Sequence, residues 1–121
     1  MALTIVIVDD SPQFRAAAAE LLAERGFKVQ ATVEDAAQAL AAMAGECPDG
    51  ILLDICLSGA DGFAVGTALA ASCPQTKIVL TSANIGHVPA EVLQSCGMTA
   101  FLPKEELASA DLGTLFMTEG M

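Results

Sequence analysis

A chain of 121 residues has room for one domain of common size, taken here as 1–121, and for no second catalytic or DNA-binding unit. With 54% hydrophobic and 17% charged residues it holds enough apolar side chain to fill a core, which argues against disorder. Five basic residues against 15 acidic give a formal charge of −10, which repels a phosphate backbone and argues against direct nucleic-acid binding.

The elements alternate between strand and helix. Ile5-Val6-Ile7-Val8 is an unbroken β-branched run, the pattern of a strand covered on both faces, and it stops at Asp9-Asp10. Ser11 and Pro12 then open a helix, Ser11 by offering a capping oxygen and Pro12 by needing no N–H partner in the first turn. Phe14, Ala17, Ala18, Leu21 and Leu22 form its apolar stripe, and Gly26 ends it. Phe27, Val29, Ala31 and Val33 alternate with polar or small residues, as in a strand near a sheet edge. Thr32 and Asp35 have capping-box spacing for a second helix through Ala36, Ala39, Leu40 and Met43 to about Gly45. Ile51-Leu52-Leu53 is a third strand ending at Asp54, and a loop through Gly59 and Gly62 leads to a helix at about 63–72, stopped before Pro74. Ile78-Val79-Leu80 runs into Thr81-Ser82-Ala83, Pro89 and Gly97 bracket a fourth helix, and Ala100-Phe101-Leu102 is the fifth strand. A weaker helix with Leu107, Leu112, Leu115 and Phe116, interrupted by Gly113, closes the series. Five such units with short connections predict an α/β fold, an open doubly wound parallel sheet with helices on both faces. A closed barrel of eight units needs roughly twice this length.

No apolar run approaches the roughly 20 residues of a membrane span, and no basic segment with an apolar stretch and cleavage site opens the chain, so it reads as cytoplasmic. Cys47, Cys56, Cys73 and Cys96 are scattered without a Cys-x-x-Cys pair, and His87 is the single histidine, which argues against structural zinc. They read as reduced, mostly buried thiols.

The conspicuous polar residues fall where apolar strands end: Asp9 and Asp10 after the first, Asp54 after the third, Ser82 after the fourth, Lys104 just past the fifth. In an open parallel sheet those ends share one edge, where ligands bind. Each residue alone has an ordinary structural role as turn former, loop hydroxyl or solvated charge; jointly they point to a site. Three carboxylates held together repel one another unless a cation neutralises them. All-oxygen ligation favours a hard ion, Mg²⁺ or Mn²⁺. Lys104 adds a positive charge for a phosphoryl oxygen, Ser82 adds a hydroxyl donor, and a carboxylate can itself be the nucleophile.

The segments IVIVDD (Ile5–Asp10), LLDICLSGADGF (Leu52–Phe63), IVLTSAN (Ile78–Asn84) and AFLPK (Ala100–Lys104) resemble the receiver domains of two-component response regulators, a likeness that runs from Leu3 to about Phe116. The resemblance implies a flavodoxin-like sheet of strand order 2-1-3-4-5, as in the family's chemotaxis member. It implies that Asp54 is the phosphoacceptor, phosphorylated by a histidine kinase or phosphotransfer protein. Asp10 binds Mg²⁺ directly, Asp9 helps through water, and Cys56 lends its backbone carbonyl. Lys104 contacts the phosphoryl group, Ser82 is the switch hydroxyl, and Phe101 is the aromatic that reports phosphorylation. Thr81 competes with Ser82, which is preferred because small Ala83 follows it. Cys56 and Asn84, each two residues past a key position, tune the phosphoryl lifetime. Two positions depart from the family: Ser58, where proline is frequent, and Glu105, where proline usually follows the lysine. A cis Lys104-Glu105 bond would cost about 2.5–4 kcal/mol, so the bond's geometry bears on the reach of Lys104.

Three other readings are weaker. An aspartyl-phosphate phosphatase places its two acids in D-x-D, whereas Asp9 and Asp10 are adjacent and no cap insertion exists. A receiver fold used only for interaction usually lacks one of the acids or the lysine, all of which are present here, whereas a phosphate sink would keep them and lack only the conventional switch. A flavodoxin-like cofactor binder needs a Gly-rich phosphate loop after the first strand, where this chain has Asp9-Asp10-Ser11-Pro12.

Overall fold

A computed structural model describes residues 2–57, 61–83 and 87–117. Five strands, β1 (Thr4–Val8), β2 (Lys28–Val33), β3 (Gly50–Asp54), β4 (Lys77–Ser82) and β5 (Ala100–Pro103), pair in parallel in the order β2-β1-β3-β4-β5. The helices are α1 (Pro12–Glu24), α2 (Ala36–Met43), α3 (Gly62–Ser72), α4 (Ala90–Ser95) and α5 (Leu112–Met117). Side-chain alternation along the strands divides the core in two. Val6, Val8, Leu53 and Leu80 face α2, α3 and α4 through Ala39, Met43, Val65, Leu69 and Leu93. Ile5, Ile7, Leu52, Val79 and Leu102 face α1 and α5 through Ala18, Leu22, Leu112 and Phe116. Each fully buried leucine or isoleucine in these layers stabilises the fold by roughly 1.5–3 kcal/mol. The central strands are thus apolar through their middle positions, whereas β2, at the edge, is only partly buried.

Local chemistry sets the helix ends. Ser11 caps α1 by accepting from Phe14 N–H at 3.2 Å, and Gly26 follows the helix with φ +91°. At α2 the cap is Asp35 itself, which accepts from Gln38 N–H at 2.8 Å. Thr32 therefore takes no part in a capping box; it stays in β2, paired with Ile7. Gly62 has a steric reason to lack a side chain: a Cβ there would overlap the Ile55 backbone, whose carbonyl accepts from Gly62 N–H at 2.8 Å.

Several sequence expectations need correction. Ala17 is exposed, because the buried stripe of α1 turns through Ala18 and Leu22 with Phe14 and Leu21 beside it. Leu40 is 40% exposed on the outer side of α2. The last helical segment is two pieces, a 3₁₀ turn over Lys104–Ser109 and the six-residue α5, joined where Asp111 accepts from Thr114 N–H and Oγ1. Both Arg25 Nη atoms donate to this junction, at Ala108 and Ala110 carbonyls.

The largest correction concerns cysteine. Cys47 and Cys73 form a disulfide with Cα atoms 5.8 Å apart, while Cys56 is an exposed thiol and Cys96 a half-buried one. The register explains the pairing. Gly50 of β3 lies beside Lys77 of β4, so the segments entering these two strands meet at the N-terminal edge of the sheet. There Thr76 Oγ1 donates to the Pro48 carbonyl at 2.7 Å and Lys77 N–H to the Asp49 carbonyl at 3.0 Å.

Candidate functional site

The opposite, C-terminal edge of the sheet gathers the predicted polar residues. Asp9 follows β1, Asp54 ends β3, Ser82 ends β4 and Lys104 follows β5. Burial grades them: Asp9 is fully buried, Asp54 is 5% exposed and Asp10 is half-buried. Each of the three acids offers a carboxylate oxygen, and these oxygens lie within 4.8 Å of one another.

The Lys104 ammonium sits among these charges, 2.7 Å from Asp9 Oδ2 and 3.6 Å from Asp54 Oδ2. Asp9 Oδ2 is buried and accepts no hydrogen bond, so the contact with Lys104 is one of charge rather than hydrogen-bond geometry. The other Asp9 oxygen accepts from Ser11 N–H at 2.8 Å. Asp54 Oδ1 accepts from Cys56 N–H at 3.1 Å, which leaves Oδ2 on the Lys104 side. Burial is the main reason that Asp54 holds its proton above the ordinary carboxylate value of 3.8; Asp9 and Asp10 push the same way, while Cys56 N–H and Lys104 oppose them.

These residues fit a hard divalent cation. A buried carboxylate oxygen without a hydrogen bond, two further acids within reach and no His or Cys among the three are the donor set such an ion takes. A cation bound among the three carboxylates would lower the parts of the Asp54 shift that come from Asp9 and Asp10, each of which is smaller than the part that comes from burial.

The two candidate hydroxyls separate by geometry. Thr81 Oγ1 is buried and donates to the Leu53 carbonyl at 3.4 Å, so it serves the sheet. Ser82 is buried one residue further on, at the strand end, with Pro103 as its neighbour in β5. Strand alternation puts Ser82 on the face of Leu80, where half-buried Phe101 packs against the core beneath α4. The Lys104-Glu105 bond is trans, and proline stands before the lysine, as Pro103. Cys56 borders the site as an exposed residue, whereas Asn84 and Ser58 lie outside the described residues.

Two residues that the sequence did not single out also belong to the site. Arg15 Nη1 donates to the Asp9 carbonyl at 2.6 Å, and the Phe14 ring lies under the Lys104 ammonium, 4.3 Å from Nζ to the ring centroid. Arg15 carried a weak signal as one of five basic residues, placed within a turn of the acid pair. Phe14 carried none, being indistinguishable from a core position.

A family model described as the response regulator receiver domain matches residues 5–114. The transcriptional regulatory protein TcrA of Mycobacterium tuberculosis is 37% identical over 80 residues, 66% of this chain and 31% of TcrA. The chain thus spans about a third of the length of that relative. Chemotaxis protein CheY of Bacillus subtilis is 32% identical over 83 residues, 69% of each chain. Among solved structures, NtrX of Brucella abortus superposes with a TM-score of 0.75 at 32% identity, covering 90% of this chain and 25% of that one. A two-component response regulator of the LuxR family from Aurantimonas sp. SI85-9A1 gives a TM-score of 0.81 at 23% identity over 95% of this chain and 86% of that one, a likeness of fold.

Proposed function

The chain belongs to the response-regulator receiver family of two-component signalling, and on that premise we propose that residues 1–121 act as one receiver whose Asp54 accepts a phosphoryl group with Mg²⁺ or Mn²⁺ bound beside it. The observation that carries this reading is the placement of Asp54: nearly buried, among two other acids and within 3.6 Å of an ammonium. Asp54 Oδ2 attacks the phosphorus of a phosphohistidine, forming an acyl phosphate as the P–N bond breaks and the imidazole leaves. The donor is a histidine kinase or phosphotransfer protein. Cys56 N–H fixes the rotamer of Asp54 by holding Oδ1.

Asp9, Asp10, Asp54 and the Cys56 carbonyl would hold the cation, which would supply positive charge to offset the negative charge of the carboxylates and of the incoming phosphoryl group. Lys104 meets the transferred group from the β5 side. Ser82 and Phe101 form the switch. A phosphoryl group brings about −1.5 to −2 charge and three acceptor oxygens, which draw the Ser82 hydroxyl and the Lys104 ammonium inward and open space for Phe101. The surface of α4, β5 and α5 then changes its population of conformers for a protein partner. Cys56 and Asn84 flank the acyl phosphate and govern access of water. The domain turns over no separate substrate, and with a charge of −10 it binds no nucleic acid directly.

The second reading is a phosphate sink without conventional switching, favoured by the shortness of α4, six residues on the output face. The test of the main reading is direct. Mass spectrometry after incubation with acetyl phosphate and Mg²⁺ is expected to show one added phosphoryl group, lost in Asp54→Ala; unchanged labelling of that variant refutes the assignment.

A further inference from the structure

Lys104 is held on three sides. Asp9 Oδ2 and Asp54 Oδ2 approach its ammonium from the ends of β1 and β3, and the Phe14 ring approaches from α1. Its side chain is only 17% exposed, so water does not complete the shell freely. We propose that Phe14 is a positioning residue for phosphoryl transfer, its ring face seating the Lys104 ammonium between Asp9 and Asp54. The inference rests on the phosphoacceptor reading of Asp54.

Three observations converge on it. The ammonium-to-centroid distance of 4.3 Å lies within the roughly 6 Å over which a cation is attracted to the negative face of a ring. The ring is fixed at its base: Phe14 N–H donates to the capping Ser11 Oγ, and the side chain packs against the core layer shared with Leu22 and Leu102. Lys104, in contrast, needs support from outside its own segment. It opens a 3₁₀ turn behind Pro103, its peptide to Glu105 is trans, and no proline follows to set the course of the chain. Asp9 alone would draw the ammonium away from the acceptor, since it is the nearer carboxylate by 2.7 Å against 3.6 Å. The ring adds an attraction from the α1 side that does not neutralise the lysine, so the positive charge stays available to a phosphoryl oxygen.

The test keeps packing constant and varies the ring's electrostatics. Phe14 is replaced by phenylalanines bearing one, two and three ring fluorines, which preserve shape while weakening the negative face, and by Phe14→Leu and Phe14→Tyr. The phosphorylation rate of Asp54 is measured with acetyl phosphate at saturating Mg²⁺, alongside the Lys104 ammonium resonance in ¹⁵N spectra. The rate is expected to fall stepwise with each fluorine and roughly fivefold in Phe14→Leu, with Phe14→Tyr recovering most of it and the Lys104 resonance moving in step. Parent-like rates and an unmoved resonance across the fluorinated series overturn the role of Phe14 and leave the Asp54 assignment standing. A parent protein that gains no phosphoryl group overturns the phosphoacceptor reading and the positioning role together.

Discussion

Replacing Cys47 by serine removes the single cross-link seen among the described residues, and its effect can be worked from the loop it closes. The disulfide joins positions 26 residues apart. Restricting the unfolded chain over a loop of that length stabilises the fold by about 3.5 kcal/mol on the chain-entropy account. The native state changes little, because Thr76 Oγ1 to the Pro48 carbonyl and Lys77 N–H to the Asp49 carbonyl hold the same two segments together without it. For 121 residues the unfolding entropy near the midpoint is about 0.25 kcal/mol per kelvin, so Cys47→Ser is expected to lower the Tm by about 14 °C. Far-UV circular dichroism is the assay, since the chain has no Trp or Tyr to report by fluorescence. The parent protein in excess dithiol reductant should melt near the variant, and Cys56→Ser, at an exposed free thiol, should melt with the oxidised parent. A Cys47→Ser Tm within about 3 °C of the oxidised parent refutes the reasoning, because the chain-entropy account requires a larger loss for a closed loop of this length.

Two other outcomes follow from the acidic site. Because burial raises the pKa of Asp54, the folded state binds more protons than the unfolded chain between 3.8 and the raised value, and stability falls as pH rises through that window. Asp54→Asn in chelator is therefore expected to melt above the parent at pH 7, with the gap narrowing in acid below 3.8; a gap that is constant with pH contradicts the burial argument. Mg²⁺ at one hundred times its Kd should stabilise the parent by about 2.7 kcal/mol, or about 10 °C, and Asp10→Asn should lose most of that gain in calorimetry.

Much of the fold and of the acidic site was legible because one rule governs both. A strand buried on both faces is apolar through its middle and turns polar at its end, so Val8, Leu53 and Leu80 announce where Asp9, Asp54 and Ser82 follow, and parallel topology brings those ends to one edge. Features that depend on the rotation of a helix were not legible. Phe14 and Arg15 are adjacent, yet one seats Lys104 and the other holds the Asp9 carbonyl, and only the azimuth of α1 says so. The disulfide escaped because cysteine spacing was read along the chain. The register of β3 and β4 sets Cys47, three residues before Gly50, near Cys73, four before Lys77. The packing of α5 is likewise tertiary. With Gly113 inside it, this helix depends on Phe116, whose ring fills the space a side chain at Gly50 would occupy.

The end of β5 ties the charge chemistry to the switch. Pro103 neighbours Ser82, and Phe101 neighbours Leu80 two residues earlier, so Lys104, proposed to meet the phosphoryl group, and Phe101, proposed to report it, stand an odd number of residues apart and leave β5 toward opposite faces. Phe101 lies on the α4 face of the sheet and Leu102 on the α1 face, where Phe14 supports Lys104. A pull on the Lys104 ammonium therefore acts on a strand whose two sides are gripped by different helices. Phe14 holds the charged end on one side, while partial burial leaves Phe101 room to move on the other. The trans peptide at Glu105 fits this division: with the ammonium seated from α1, the chain beyond Lys104 is released into the 3₁₀ turn and need not itself set the lysine's reach.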